Sequence, residues 1–275
     1  MKKFRVGIQL YSLRDAMEKD MDATLKTVKE MGYDCVEFAG YFGKTADEVR
    51  AILDKYDLEC VSVHQAPDLF DEDPQGAVEY IKTIGAKYVA IPWYEIENFQ
   101  NNWDASIEKF TKLAELLKAS GLQLMYHNHD FEIQKIDGEY VLDKLYSTIP
   151  ADLLMPEIDT CWVHYAGVNP SDYVRKYSGR IDVLHLKDFV CEKLGGGPVY
   201  ALIDKDGNEQ KSNSREEAGF KFTPIGYGIQ DWESILGAAE DAGVECVIVE
   251  QDSSPDRDPL EAAKMSREYL KSLGL

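Results

Sequence analysis

The 275-residue sequence has no uninterrupted apolar run of the roughly 18 residues that a membrane helix needs. Its first apolar stretch, Val6–Leu10, is too short and too interrupted for the core of a secretion signal, so a cytoplasmic protein with no membrane partner is expected. Cysteine is scarce. Cys35, Cys60, Cys161, Cys191 and Cys246 are odd in number and form no Cys-x-x-Cys pair, which argues against a disulfide framework. Three of them (Cys35, Cys60 and Cys246) lie in apolar runs, where a thiol behaves as a small hydrophobe and fits a reducing compartment. Positive charge is also in short supply. Thirty basic against 50 acidic side chains give a formal charge of −20, a surface that repels nucleic acid. Finally, no Gly-rich phosphate turn follows the first apolar run, which continues as Gln9-Leu10-Tyr11-Ser12-Leu13-Arg14. A doubly wound nucleotide-binding sheet usually carries such a turn.

What the sequence does contain is a repeat. Eight short apolar runs recur: Val6–Leu10, Cys35–Phe38, Cys60–Val63, Tyr88–Ile91, Leu122–Tyr126, Leu153–Ile158, Ile181–Leu186 and Val244–Val249. They are rich in Val, Ile, Leu and Cys with little strict alternation, as in strands buried on both faces of a parallel sheet. The intervening segments are amphipathic at helical spacing, as in Trp103, Ile107, Phe110, Leu113 and Leu117. Asp73-Pro74 and Asp258-Pro259 read as helix starts, and Gly32, Gly85, Gly121, Gly179 and Gly243 as stops. Eight strands alternating with helices predict one (β/α)₈ TIM barrel over residues 1–275. One segment breaks the rhythm. Val190 to Pro224 is polar and Gly-rich and predicts a β-hairpin insertion after strand 7, turning at Asp204–Asn208 and overhanging the barrel top.

In such barrels chemistry sits at the C-terminal strand ends. Polar residues gather there: Glu37, His64, Trp93, Tyr94, His127, His129, Glu132, Glu157, Asp159, His185, Lys187, Asp188, Glu250 and Asp252. All five histidines, His164 included, fall at or just beyond a predicted strand end. A single histidine or glutamate there is more often a hydrogen-bonded structural residue. Alternation sharpens the picture, because every second residue of a strand shares a face. Met155, Glu157 and Asp159 share one; Ile181, Val183, His185 and Lys187 another; Cys246, Ile248 and Glu250 a third. Asp159, His185 and Glu250 are therefore expected near the axis, with Glu132 arriving from the fifth loop. Buried carboxylates are costly without a cation. An oxygen-rich set with one imidazole suits Mn²⁺ first, with Mg²⁺, Co²⁺ or Zn²⁺ as alternatives.

On Tyr126-His127-Asn128-His129-Asp130-Phe131-Glu132, Glu157-Ile158-Asp159-Thr160, Leu184-His185-Leu186-Lys187-Asp188 and Val249-Glu250-Gln251-Asp252, the chain resembles the sugar phosphate isomerase/epimerase superfamily of xylose isomerase-like barrels. The resemblance covers the whole chain. Similarity to the ketose 3-epimerases of that superfamily implies Glu132, Asp159, His185 and Glu250 as ligands of one divalent ion. Some relatives place the first ligand at the position of His127, which leaves Glu132 as a catalytic group. The sequence departs from those epimerases at Trp162, where they carry a histidine. It departs again after His185, where Lys187 and Asp188 begin a different loop.

The resemblance implies a metal-dependent isomerase or epimerase acting on a ketose or keto-sugar through an enediolate. Glu132 and Glu250 would move the proton, with Lys187 assisting. Lys187 and His64 would hold hydroxyls or the enediolate oxygen, His127 and His129 would hold sugar hydroxyls or relay a proton, and Glu37 would contact substrate. Trp93, Tyr94 and Trp162 would form an apolar sugar platform. One rival expectation is a lyase or dehydratase of 3-keto-glycosides or inososes; another is a non-catalytic carbohydrate-binding barrel. A homo-oligomer is left open.

Overall fold

A computed structural model describes residues 4–136, 138–195, 202–203, 209–210 and 218–275. Eight strands stand where the repeat predicts them: β1 (Arg5–Gln9), β2 (Cys35–Phe38), β3 (Glu59–His64), β4 (Tyr88–Ile91), β5 (Gln123–His127), β6 (Leu154–Asp159), β7 (Val183–Leu186) and β8 (Cys246–Val249). They pair in sequence order, all parallel, and β8 pairs back onto β1 to close the barrel. Helices fill the intervals, as right-handed crossovers between parallel neighbours require.

Local chemistry sets the helix limits. Asp73 and Asp258 cap their helices by accepting from Gly76 N (2.9 Å) and Leu260 N (2.8 Å), with proline next in line. Each such cap stabilises its helix by about 1 kcal/mol. Gly32 and Gly243 end theirs at φ +91° and +89°, a left-handed turn that side chains resist.

Around and inside the barrel, the apolar residues form two separate layers. The larger lies between the barrel wall and the helices, where Phe110, Leu113 and Leu117 of helix Trp103–Ala119 are buried. The smaller fills the barrel interior: Cys35, Val61, Ala90, Met125, Val183, Cys246 and Ile248, with Tyr88 and Met155 against them. This interior is packed to the limit. A Cβ on Gly7 would stand 2.5 Å from Ile248 Cδ1 and 2.8 Å from Cys35 Sγ, so only glycine fits β1 there. All five cysteines are free thiols.

The expected insertion after the seventh strand appears as two short antiparallel pairs. Asp188–Val190 pairs with Lys221–Thr223, and Leu202–Ile203 with Glu209–Gln210. The predicted turn at 204–208 lies outside the described residues. Phe189, Phe220 and Phe222 pack on Cys161, Trp162 and Tyr165 of helix Thr160–Tyr165, joining the base of the insertion to the barrel top.

Candidate functional site

The inward faces of the strands carry apolar side chains in their lower half and polar ones above. Register then places the polar ones side by side. Gln9 is level with Glu37, Glu37 with Ser62, His127 with Glu157, and Asp159 with His185. His127 follows Met125 by two residues, and Glu250 follows Ile248. Both therefore continue an inward-facing row.

Two overlapping groups result, each with ligand atoms within 4.8 Å of one another: His127, Asp159, His185 and Glu250, and His64, His127, Glu157 and His185. His185 links them. Its Nδ1 lies 3.0 Å from Glu250 Oε2, and its Nε2 donates to Glu37 Oε2 at 2.7 Å. His127 stands between Glu157 Oε2, 3.6 Å from its Nδ1, and Asp159 Oδ2, 3.7 Å from its Nε2. His64 Nε2 bridges Glu157 (2.9 Å) and Glu37 (3.1 Å). Lys187, only 1% exposed, brings its ammonium to 3.0 Å from both Asp159 and Glu250 and 2.9 Å from Asp252.

The electrostatics follow from this crowding. Five carboxylates (Glu37, Glu157, Asp159, Glu250 and Asp252) face one ammonium and the imidazoles of His64 and His185. Among the described residues, positive charge falls short by two even with both imidazoles protonated. Burial pushes Glu157 up to about 7, with Glu37 adding to it, and Asp159 up to about 6 against the pull of Lys187. Burial also opposes charge on Glu37 and Glu250, but His64 and His185 hold the first well below the carboxylate range and Lys187 and His185 hold the second low. Desolvation disfavours His64 as a cation, yet Glu37 and Glu157 raise it to about 10. Burial and the surrounding cations hold His127 and His129 well below the usual histidine range. A divalent ion fits this set. It would offset the excess of carboxylates, and among the described residues buried His127 Nδ1 and Glu157 Oε1 have no hydrogen-bond partner.

A cavity of about 400 Å³ opens above the group. It is lined by the apolar residues Tyr11, Ala39, Pro92 and Trp93 and by His64, His127, His129, Lys187, Glu250 and Asp252. His129 is held flat between Phe131 (5.4 Å) and Trp162 (5.6 Å), with Trp93 edge-on at 4.7 Å. A larger groove of about 800 Å³ between residues 12–27 and 252–260 contains none of these histidines.

Several expected residues stand elsewhere. Glu132 belongs to neither ligand group. The 3-10 turn Phe131–Ile133 carries its carboxylate back onto Tyr126 Oη (2.7 Å) and His129 N (2.8 Å), so both of its oxygens accept within its own loop. Glu37 is fully buried and does not line the cavity. Trp162 is buried beneath His129 rather than in the cavity wall, and Lys187 Nζ lies 4.9 Å from its ring. Tyr94 packs on Phe99 and Phe110, its hydroxyl on Ser106. His164 sits on a helix and bonds Gln230. Gln9, Ser62, Glu157 and Asp252 complete the cluster; Glu157 and Asp252 stand at the strand ends noted above without an assigned role, and Gln9 and Ser62 were not singled out. The alternation that singled out Asp159 also points to Glu157, two residues before it.

A closed parallel barrel with a buried histidine–carboxylate cluster at its C-terminal mouth defines a TIM barrel with a metal-type site. The chain belongs to the xylose isomerase-like TIM barrel family, whose model matches residues 25–273. It is 29% identical to the inosose dehydratase of Clostridium botulinum (strain Alaska E43 / Type E3) over 174 residues, 62% of this chain. That match spans about half the relative's length, 55%. The inosose dehydratase of Clostridium perfringens (strain ATCC 13124) matches at 23% identity over 92% of this chain and 90% of its own. Among solved structures, a sugar phosphate isomerase/epimerase from Parabacteroides distasonis ATCC 8503 superposes with TM-score 0.77 at 21% identity, covering 98% of each chain. The IOLI protein with a binding zinc atom superposes at 0.71 and 15%, covering 98% of this chain and 97% of its own. These relatives correct the expected enzyme class. The curated sequences are dehydratases, not isomerases or epimerases. No helix among the described residues is long and apolar enough to cross a membrane.

Proposed function

We propose that the protein is a metal-dependent carbon–oxygen lyase that dehydrates a polyhydroxylated cyclic ketone or keto-sugar. The observation that carries this reading is the buried Lys187 ammonium set 3.0 Å from both Asp159 and Glu250, beside a ligand group open to the cavity. Elimination needs that pairing: an electrophilic ion for the carbonyl and a proton donor for the departing hydroxyl. The inosose dehydratases among the relatives support it.

His127, Asp159, His185 and Glu250 would hold the ion, with His127 taking the place expected of Glu132. Two imidazoles and two carboxylates suit Zn²⁺ or Co²⁺ better than Mg²⁺ and weaken the preference for Mn²⁺. When bound, such an ion supplies Lewis acidity that polarises a carbonyl and acidifies the neighbouring C–H. His129, kept neutral and clamped between two aromatic rings, removes that proton. As the C–H electrons form the new C=C bond, the β C–O bond breaks. Lys187 gives its proton to the hydroxyl, which leaves as water. Asp252, 2.9 Å from Lys187, holds the ammonium toward the cavity. Glu132 fixes the loop that presents His129.

The test is incubation of Zn²⁺-, Co²⁺- or Mn²⁺-loaded protein with inososes and keto-sugars in D₂O, read by mass spectrometry. A product lighter by one water, dependent on the ion, is expected. Deuterium uptake with no loss of water would overturn the reading, and tight binding with neither would indicate a sugar-binding barrel. The apolar lining of Tyr11, Pro92 and Trp93 in the same cavity favours a second reading, in which the same elimination expels the aglycone of a 3-keto-glycoside. Release of a chromogenic aglycone checks it.

A further inference from the structure

Glu37 lies beneath the ligand group, fully buried and outside the cavity lining. Three other strands converge on its carboxylate. Gln9 of β1 donates to Oε2 at 2.7 Å, Ser62 of β3 donates to Oε1 at 2.5 Å, His64 of β3 lies 3.1 Å away, and His185 Nε2 of β7 donates at 2.7 Å. Glu37 itself does not line the cavity.

The partner that matters is His185. Its two ring nitrogens face opposite ways, Nε2 down to Glu37 and Nδ1 up to Glu250. An imidazole can give only one lone pair to a cation, and the proton on its other nitrogen decides which. A carboxylate below Nε2 fixes the proton there and leaves Nδ1 for the ion. A ligand histidine held this way keeps its tautomer and ring orientation, and loss of such support typically costs metal affinity 10–100-fold.

We infer that Glu37 is a positioning residue for the ion site: it accepts the hydrogen bond from His185 Nε2–H, keeping the proton on that nitrogen, and so turns Nδ1 toward the ion, while His64 clasps Glu37 to Glu157. Gln9 and Ser62 hold the carboxylate so that it cannot swing up and ligate. The inference rests on the ion-site reading above.

The experiment strips the full-length protein with a chelator and reloads it with Zn²⁺ or Co²⁺. It measures affinity by chelator competition, stoichiometry by elemental analysis, and the Co²⁺ visible absorption. Glu37→Gln is expected to weaken Zn²⁺ binding about 10–100-fold and shift the Co²⁺ bands, with one ion per wild-type chain. Circular dichroism of the metal-free variant checks that it folds. If it does not, Ser62→Ala, which removes one of the donors on Glu37, is expected to move affinity the same way by a smaller factor. Glu37→Asp is expected to recover part of the affinity. Unchanged affinity and spectrum in Glu37→Gln, alongside loss of the ion in Asp159→Asn, would overturn this inference and leave the site reading standing. Two ions per chain would overturn it too, because the second group, His64, His127, Glu157 and His185, would then compete with Glu37 for His185 Nε2. A wild-type chain that takes up no ion overturns both readings together.

Discussion

Within the barrel, the same inward rows of the same strands are built in two ways. The lower half, from Val61, Ala90, Met125, Val183, Cys246 and Ile248, is apolar and close-packed around Gly7. One or two residues further along, the rows carry Ser62, His127, His185 and Glu250, which are polar and crowded with like charge. The lower half lowers the free energy of the fold. The upper half raises it, through carboxylates that burial pushes toward protonation. One half thus anchors a site that would not assemble unaided, and the separation assigns distinct consequences to neighbouring substitutions.

The largest effect is expected in the upper half. Lys187→Met should cut turnover about 10²–10⁴-fold, the usual share of a general acid. It should also destabilise the metal-free protein by about 3–5 kcal/mol, because it strands paired buried carboxylates. Kinetics and urea melts of one preparation check both; unchanged turnover would remove Lys187 from the chemistry. In the lower half, Met125→Ala should cost about 2–5 kcal/mol through its cavity. Ion content and turnover per folded molecule should stay at wild-type values; a lost ion would erase the division between the halves. Gly7→Ala is expected to cost about 1–3 kcal/mol by overpacking against Ile248 and Cys35, again with the ion retained.

The gentlest probe is pH. Burial pushes Glu132 up to about 8, against the hydrogen bonds from Tyr126 and His129 N. Between the ordinary carboxyl range and pH 8 the folded chain therefore holds a proton that the unfolded chain has lost. Stability should fall as pH rises through that window, by at most about 1.4 kcal/mol per unit, and level off above it. Glu132→Gln should flatten that slope in a series of denaturant melts; an identical slope would show that other groups set it.

Much of this was legible in the sequence because it is local. The eight apolar runs, the Asp-Pro starts and the glycine stops each depend on residues within a turn of one another, and the strands lie within two residues of the predicted limits. Inside a strand, alternation also carries the site. It placed Asp159, His185 and Glu250 together, and it reaches Glu157, which shares a face with Asp159. Alternation stops where the strand stops. Trp162, Tyr94 and His164 follow strand ends in sequence, but helix geometry and packing direct them into the wall or away from the mouth.

The sequence by itself determined the barrel, because the two-residue period of a strand and the capping chemistry of a helix act over a few bonds. Where Glu132 and His127 stand relative to the cluster is decided only in three dimensions. His127 closes β5 on the inward face above Met125, while the 3-10 turn after it folds Glu132 back onto Tyr126 and the His129 amide. Beyond a strand end, where a side chain arrives depends on how the loop backbone turns and which distant donors satisfy it, and no spacing in the chain records that.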